Sequence, residues 1–300
     1  MLRRLVVNAD DLGLTAGVND GIFDAHEQGI LTSASLLANA PATEDAVRRF
    51  RSHASLGVGV HLALVDGIPV LPPTLVPSLI EDDGRFRRSW KPFIVACLQG
   101  RVSLLEVEHE LTAQIERVLV AGIKPTHLDA HQHVHAYPPL FAIVARLAVQ
   151  FGISVVRVPY ERASLRSLSH SDRSTRRIIR RQAVLNAAAW PWAWRNRRTA
   201  AALGLRTPHF IGRIHTGVID APAIQGLLRA IDAGVTELMV HPGYADDELA
   251  RTSTRLLASR TRELALLCSM ATRARVAGER IELVRHDLTH VIRRSIRHVS

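Results

Sequence analysis

The sequence predicts an α/β fold, a (β/α) barrel in which residues 1–300 form one domain. Three observations carry this prediction. Short apolar runs alternate with helical stretches along most of the chain, the pattern of a parallel sheet or barrel. The residues able to do chemistry gather where those runs end, which is where barrels place reactive groups. No dinucleotide-type glycine fingerprint favours an open sheet, and no repeat of fixed period is visible.

The elements follow in order. Leu5–Asn8 reads as a buried strand running into Asp10 and Asp11, and Ala16–Gln28 as a helix closed by Gly29. Thr32–Ala38 and Gly57–Leu62 read as strands, the second ending near His61. Residues 66–83, with Pro69, Pro72, Pro73 and Pro77, form an irregular excursion. Glu106–Leu119 is amphipathic and helical, Thr126–Asp129 a short strand, Pro139–Gln150 a helix and Ser154–Val158 a further strand. A basic segment at about 162–205 then interrupts the alternation as an insertion. Phe210–Ile214, a helix near Ala221–Asp232, the strand Glu237–Val240 and a last strand at Ile281–Val284 restore it before a basic tail.

Composition excludes several classes. At 47% hydrophobic and 22% charged residues, the chain is an ordinary globular one. No stretch approaches the ~20 apolar residues of a spanning helix. The apolar run at the N-terminus is too short and too acidic for a signal peptide, so a cytoplasmic protein is expected. Cys97 and Cys268 sit in apolar stretches, read as buried free thiols, and make no zinc pattern. The net charge of +10 is local: residues 162–198 hold ten arginines against Asp172 alone, +9 of the total. That makes a general nucleic-acid surface a poor reading.

Asp10 and Asp11 directly follow an apolar strand. Successive strand residues face opposite sides, so both reach one site only where the strand gives way, as Leu12-Gly13 would permit. The alternative is that they cap the next helix. His61 ends a strand, where a structural histidine is the competing reading. In His127-Leu128-Asp129-Ala130-His131-Gln132-His133-Val134-His135, every odd position is His or Asp. In an extended chain these five would share a face and span about 26 Å at ~3.3 Å per residue. One ion can then take only one or two of them. Asp129 could orient a ligating imidazole, and His127, His133 and His135 could support ligands or touch substrate. Arg157 ends the apolar run at 155–158, and His241 precedes a Pro-Gly turn; each has a bland surface or structural alternative. One carboxylate with two imidazoles and open positions is the ligand set of a catalytic zinc or similar divalent ion. Such an ion polarises carbonyls and yields hydroxide near neutral pH.

Val7-Asn8-Ala9-Asp10-Asp11-Leu12-Gly13, Gly59-Val60-His61-Leu62, Thr126 through His135 and His241-Pro242-Gly243 together resemble the YdjC-like carbohydrate deacetylases. The matching motifs run from residue 5 to about 245, with a weaker echo at Ile281–Leu288. The resemblance implies a distorted, TIM-like (β/α) barrel and a metal-dependent removal of acetyl from an N-acetylated amino sugar. It implies Asp11, His61 and His131 as ligands of one divalent ion, zinc or alternatively magnesium, with Asp10 as general base and His241 as acid. Arg157 is expected near the oxyanion.

The insertion departs from compact members of that group. Trp190-Pro191-Trp192-Ala193-Trp194 adjoins Arg195, Arg197 and Arg198, and Arg176-Arg177-Ile178-Ile179-Arg180-Arg181 has a helical amphipathic spacing. Tryptophan favours the membrane–water interface and arginine favours anionic headgroups. Trp190, Trp192, Trp194, Arg177 and Arg181 are therefore expected to contact lipid, placing the protein on the inner face of the cytoplasmic membrane. The alternative packs the tryptophans into the barrel flank, and nucleic-acid binding is the minor reading. The chain resembles the hopanoid biosynthesis branch of the group, which implies an N-acetylglucosaminyl hopanoid substrate. Soluble chitooligosaccharides are the same-class alternative. A basic binding protein with a structural metal is the alternative of another class. A homodimer is compatible with the sequence.

Overall fold

The computed structural model describes residues 2–162 and 173–289. Part of the expected insertion, residues 163–172, and most of the basic tail lie outside the described residues.

The first strand, β1 (Arg3–Leu12), is longer than expected and carries the aspartates within it. Then follow α1 (Ala16–Gln28), β2 (Ser33–Leu36), α2 (Thr43–Phe50) and β3 (Gly57–Leu62). The irregular excursion contains one 3-10 turn at Pro73–Leu75. Buried Glu110 accepts from the amides of Val70 and Leu71 at 2.8 and 3.0 Å, tying the excursion to the helix beneath it. Next come α3 (Trp90–Leu98), α4 (Leu104–Val120), β4 (Leu128–Ala130), a 3-10 turn at His131–Ala136 and α5 (Pro138–Gln150). The described part of the insertion is a helical pair, α6 (Arg173–Ala188) and α7 (Trp190–Ala202). The chain ends with β5 (His209–Ile211), α8 (Ala221–Arg229), β6 (Gly234–Val240), α9 (Asp247–Ala250), α10 (Ala258–Cys268), α11 (Met270–Gly278) and β7 (Ile281–Leu283).

All strand pairs are parallel, in the order β4-β3-β2-β1-β6-β5. β1 is the hub. β6 pairs with it from Arg3 to Ala9, while β7 takes Arg3–Leu5 and β2 begins at Asn8. The strand expected at Ser154–Val158 is reduced to isolated bridges, Val156 to Leu128 and Val155 to Arg206. The α/β barrel is therefore strongly distorted, half a sheet closed by single bridges.

Period-two geometry divides β1 between two environments. Leu5, Val7 and Ala9 belong to the apolar core beneath the helices, whereas Asn8 and Asp10 face the barrel interior. A barrel interior is ordinarily filled by branched aliphatic residues; here it is polar and charged. Cys97 and Cys268 are free and only half-buried, less enclosed than expected.

Candidate metal centre and cleft

Both aspartates reach one cleft because β1 bulges. Ala9 pairs with Ala34 but Leu12 pairs with Leu36, so β1 uses three steps where β2 uses two. Asp11 adopts φ +70°, a left-handed conformation costing about 1–3 kcal/mol in a residue with a side chain. A bulge re-aims side chains in this way. The turn at Leu12-Gly13 is thus not the device that brings the carboxylates together. The capping alternative also fails: Thr15 caps α1, its Oγ1 accepting from Val18 N at 3.3 Å.

Asp11 Oδ1 lies 3.0 Å from His131 Nδ1 and 3.5 Å from His61 Nε2. One ligand atom from each of the three residues lies within 4.8 Å of the others. Two donors bound at 2.0–2.2 Å to a tetrahedral ion stand roughly 3.4 Å apart. The donor set and its spacing therefore fit a divalent ion. His61 Nδ1 is occupied by Asp129 Oδ1 at 2.8 Å, which leaves Nε2 turned toward Asp11. This carboxylate–imidazole pairing is the support that the spacing of the tract suggests for Asp129.

The tract itself is not extended. Only Leu128–Ala130 is strand, and Gln132 and His133 take φ of 50° and 56° inside the 3-10 turn. The single face expected of the odd positions is overturned, because these two residues reverse the chain after His131. His127 stays inside the barrel, stacked on His286 at 3.7 Å with Nε2 3.0 Å from Ser35 Oγ. Gly59 makes room for it, since a Cβ there would run into the imidazole. His133 lines the cleft and meets Phe210 edge-on at 5.8 Å. His135 turns away, its Nε2 2.9 Å from the Arg157 carbonyl. Burial holds its pKa at about 4, so it is uncharged at neutral pH.

Arg157 is fully enclosed. It donates to both Asp10 oxygens at 2.8 and 2.7 Å and from Nε to Glu237 Oε1 at 2.7 Å, with Asp129 Oδ2 also at 2.7 Å. Its arms are spent on these carboxylates and it does not line the cleft. Arg157 is therefore placed to orient Asp10 and Asp129, behind the cleft in which the oxyanion is expected. Burial works against ionisation of Asp129 and Glu237. Arg157 outweighs it, aided by His61 for Asp129 and by His286 for Glu237. Asp129 is held well below the usual range and Glu237 at about 2. Asp10 moves the other way, raised chiefly by burial against the pull of Arg157.

Asp11 has a second partner that the sequence did not reveal. Arg260 of α10 donates to its Oδ2 at 2.6 Å. Against burial, Arg260 and His131 keep the Asp11 carboxyl well below its ordinary range. Burial would lower His61, yet Asp129 and Asp10 raise it to about 10. With His61 and His131 neutral, as ligation requires, four carboxylates (Asp10, Asp11, Asp129, Glu237) face two guanidiniums (Arg157, Arg260), an excess of negative charge suited to a divalent cation. His241 also lines the cleft, and burial lowers its pKa to about 3, so the ring is neutral. Its backbone N–H donates to Glu263 Oε2 at 2.6 Å. Asp66 stands 3.7 Å from His131 Nε2 and is held by Ser253 Oγ.

Sequence reading missed Arg260, Asp66, Ser35, Glu237 and His286. Glu237 and His286 had a signal: an acid inside an apolar strand, and a histidine in the weak terminal echo. Arg260 had none, since nothing local marks a helical arginine as buried.

The cleft has a volume of ≈ 1360 Å³ and is open to solvent. The insertion builds one wall of it through Gln182, Leu185 and Trp192. Buried Asn186 and Asn196 dock the two helices, bonding to the Glu161 backbone and to the Ala136 carbonyl. The tryptophans divide: Trp190 and Trp194 are exposed, but Trp192 is half-buried against Tyr137 at 5.4 Å. Trp192 thus departs from the expected lipid-facing set, because Tyr137 and the core cover it. Arg177 and Arg181 are exposed.

Comparison with known proteins places these residues in a family. A model described as YdjC-like protein matches residues 4–278. A carbohydrate deacetylase of Brevibacillus brevis is 34% identical over 285 residues, covering 94% of this chain and 97% of its own. A carbohydrate deacetylase of Geobacillus stearothermophilus is 33% identical over 289 residues, covering 95% and 97%. Among solved structures, an Enterococcus faecalis V583 protein described as a candidate cellobiose-phosphate cleavage protein superposes with TM-score 0.76. It shows 26% identity and covers 96% of this chain and 98% of its own. The chain belongs to the YdjC-like protein family.

Proposed function

We propose that this protein is a metal-dependent deacetylase that hydrolyses the acetamide of an N-acetylated amino sugar. We further propose that the sugar is an N-acetylglucosaminyl group on a hopanoid glycolipid. The observation that carries the deacetylase reading is the Asp11–His61–His131 triple on a wide cleft, in a chain whose relatives are named carbohydrate deacetylases. A divalent ion held by those three residues, zinc by their N/O chemistry or else magnesium, supplies Lewis acidity toward the acetamide carbonyl and a lowered water pKa.

The protein residues divide the remaining work. Asp10, raised by burial and oriented by Arg157, accepts a proton from the attacking water. Arg260 fixes Asp11, and Asp129 fixes His61. His241 enters the cycle uncharged, and the proton that Asp10 takes from the water is returned by way of His241 to the departing nitrogen. Water's oxygen bonds to the acetyl carbon, the C–N bond breaks, and the products are acetate and the free amino sugar.

The lipid assignment rests on the insertion. Exposed Trp190, Trp194, Arg177 and Arg181 have the composition of an interfacial surface, which would set the protein on the inner face of the cytoplasmic membrane. Among the described residues no helix is long and apolar enough to cross a membrane. A soluble chitooligosaccharide is the second reading, favoured by the polar cleft residues Glu81, Asp83, Arg85 and Gln132.

Acetate release with zinc or magnesium added, from the glycolipid and from diacetylchitobiose, separates these readings. Deacetylation of the glycolipid, abolished by chelation and restored by metal, is expected. Turnover of the disaccharide alone would overturn the lipid assignment. No acetate from either substrate would overturn the enzyme itself.

A further inference from the structure

A second cavity adjoins the cleft. It is a groove of ≈ 660 Å³ formed where two helices begin, Pro138 and Pro139 of α5 beside Trp190, Pro191 and Trp194 of α7. Proline is well tolerated in the first turn of a helix, so both starts present rigid apolar side chains without losing internal hydrogen bonds.

Two residues belong to both cavities. Tyr137 and Trp192 line the groove and also line the metal-bearing cleft. Their rings meet edge-on, 5.4 Å apart and inclined at 60°. The groove and the cleft therefore meet at this aromatic edge. Beyond it, Trp190 and Trp194 remain 56% and 53% exposed, and among the described residues Arg195 is the one charged side chain on the groove. Arg198 lies over the Trp194 ring at 4.8 Å, holding the indole in place. Tryptophan and proline supply most of the lining, and its polar groups are the indole N–H groups, the Tyr137 hydroxyl and Arg195.

We propose that the groove is a substrate subsite for an apolar aglycone. The acetylated sugar occupies the cleft, and the apolar group attached to it crosses the Tyr137–Trp192 edge to lie on Trp190 and Trp194. This rests on the deacetylase reading above and extends it, giving the tryptophans a contact with the substrate itself. The cleft alone exceeds the roughly 300–1,000 Å³ usual for a small-molecule site, so an extended substrate suits it.

The test compares methyl and octyl N-acetylglucosaminides, both monomeric and without vesicles, in the metal-supplemented full-length protein. Binding is followed by calorimetry and acetate release is followed in parallel. The octyl glycoside should bind at least about tenfold more tightly than the methyl glycoside, as burial of several methylenes requires. The doubly substituted Trp190→Ala/Trp194→Ala protein should bring that ratio close to one. Trp194→Phe, which keeps an aromatic face, should retain most of it. Equal binding of the two glycosides by the unmodified protein, or an unchanged ratio in the double variant, would overturn the subsite. So would a greater gain from the second sugar of diacetylchitobiose than from the octyl chain. If the octyl preference holds and the variant loses it, yet no acetate is released, the subsite stands and the deacetylase reading falls.

Discussion

Arg260 Nη2 and Asp11 Oδ2 are 2.6 Å apart, both buried, and this contact leaves Oδ1 of Asp11 to face His61 and His131. One carboxylate is thereby split between a structural partner and a site for an ion. Replacing Arg260 by Leu should free Asp11 to rotate and leave its buried Oδ2 without a partner. The expected result is a loss of stability of about 3–5 kcal/mol. Zinc affinity, measured by competition with a chromophoric chelator, should fall about 10–100-fold. Unchanged zinc affinity would remove Arg260 from the centre.

Asp129 orients the imidazole of His61, one of the three residues proposed to hold the ion. In Asp129→Asn the side-chain volume is kept, but the carboxylate that accepts from Nδ1 at 2.8 Å is lost. Metal affinity should fall by about 10–100-fold, with kcat/KM falling in parallel at limiting metal. Saturating metal should restore much of the activity, whereas His61→Ala should not be rescued in this way.

Glu161 offers a readout remote from the metal ligands. Burial raises its pKa from 4.5 to about 7, although the amides of Ile214, Gly212 and Arg213 pull it down. Because the folded state holds the proton more tightly, this group's contribution is fully present below pH 4.5. It is lost as pH rises to about 7. The loss is at most roughly 3 kcal/mol. Glu161→Gln should therefore flatten the pH dependence of denaturant stability across that window. A variant whose stability declines as steeply as the parent's would show that Glu161 is ionised in the folded protein.

Membrane docking by the insertion makes a separate claim. Sedimentation with vesicles rich in anionic lipid should capture the protein, and added salt should weaken capture because arginine contacts are screened. Arg177→Gln/Arg181→Gln should reduce capture several-fold. Equal binding to neutral vesicles at high salt would argue for an apolar contact alone.

Much of the centre is legible as local pattern. An apolar run ending in Asp10-Asp11, a strand closing on His61 and a histidine tract behind a short strand each mark a strand end, and strand ends converge in a barrel. The conversion of pattern into geometry is not legible. Alternation along β1 puts Asp10 and Asp11 on opposite sides, and the bulge reverses that for Asp11. Period two in the tract puts five side chains on one face. The chain stays extended only to Ala130, which keeps His127 and Asp129 in the barrel interior and brings His131 beside Asp11; the left-handed pair Gln132 and His133 then turns His135 to the Arg157 carbonyl.

The sequence by itself determined the alternation of elements, the residues at the strand ends and the odd, basic, tryptophan-rich insertion. Those are properties of neighbours along the chain. Only the tertiary structure decided which side chains meet: Arg260 with Asp11, Glu237 with Arg157, Trp192 with Tyr137. The physical reason is that each contact joins segments far apart in sequence. Their energies come from desolvated charge and buried surface, which exist only once the barrel has closed around them.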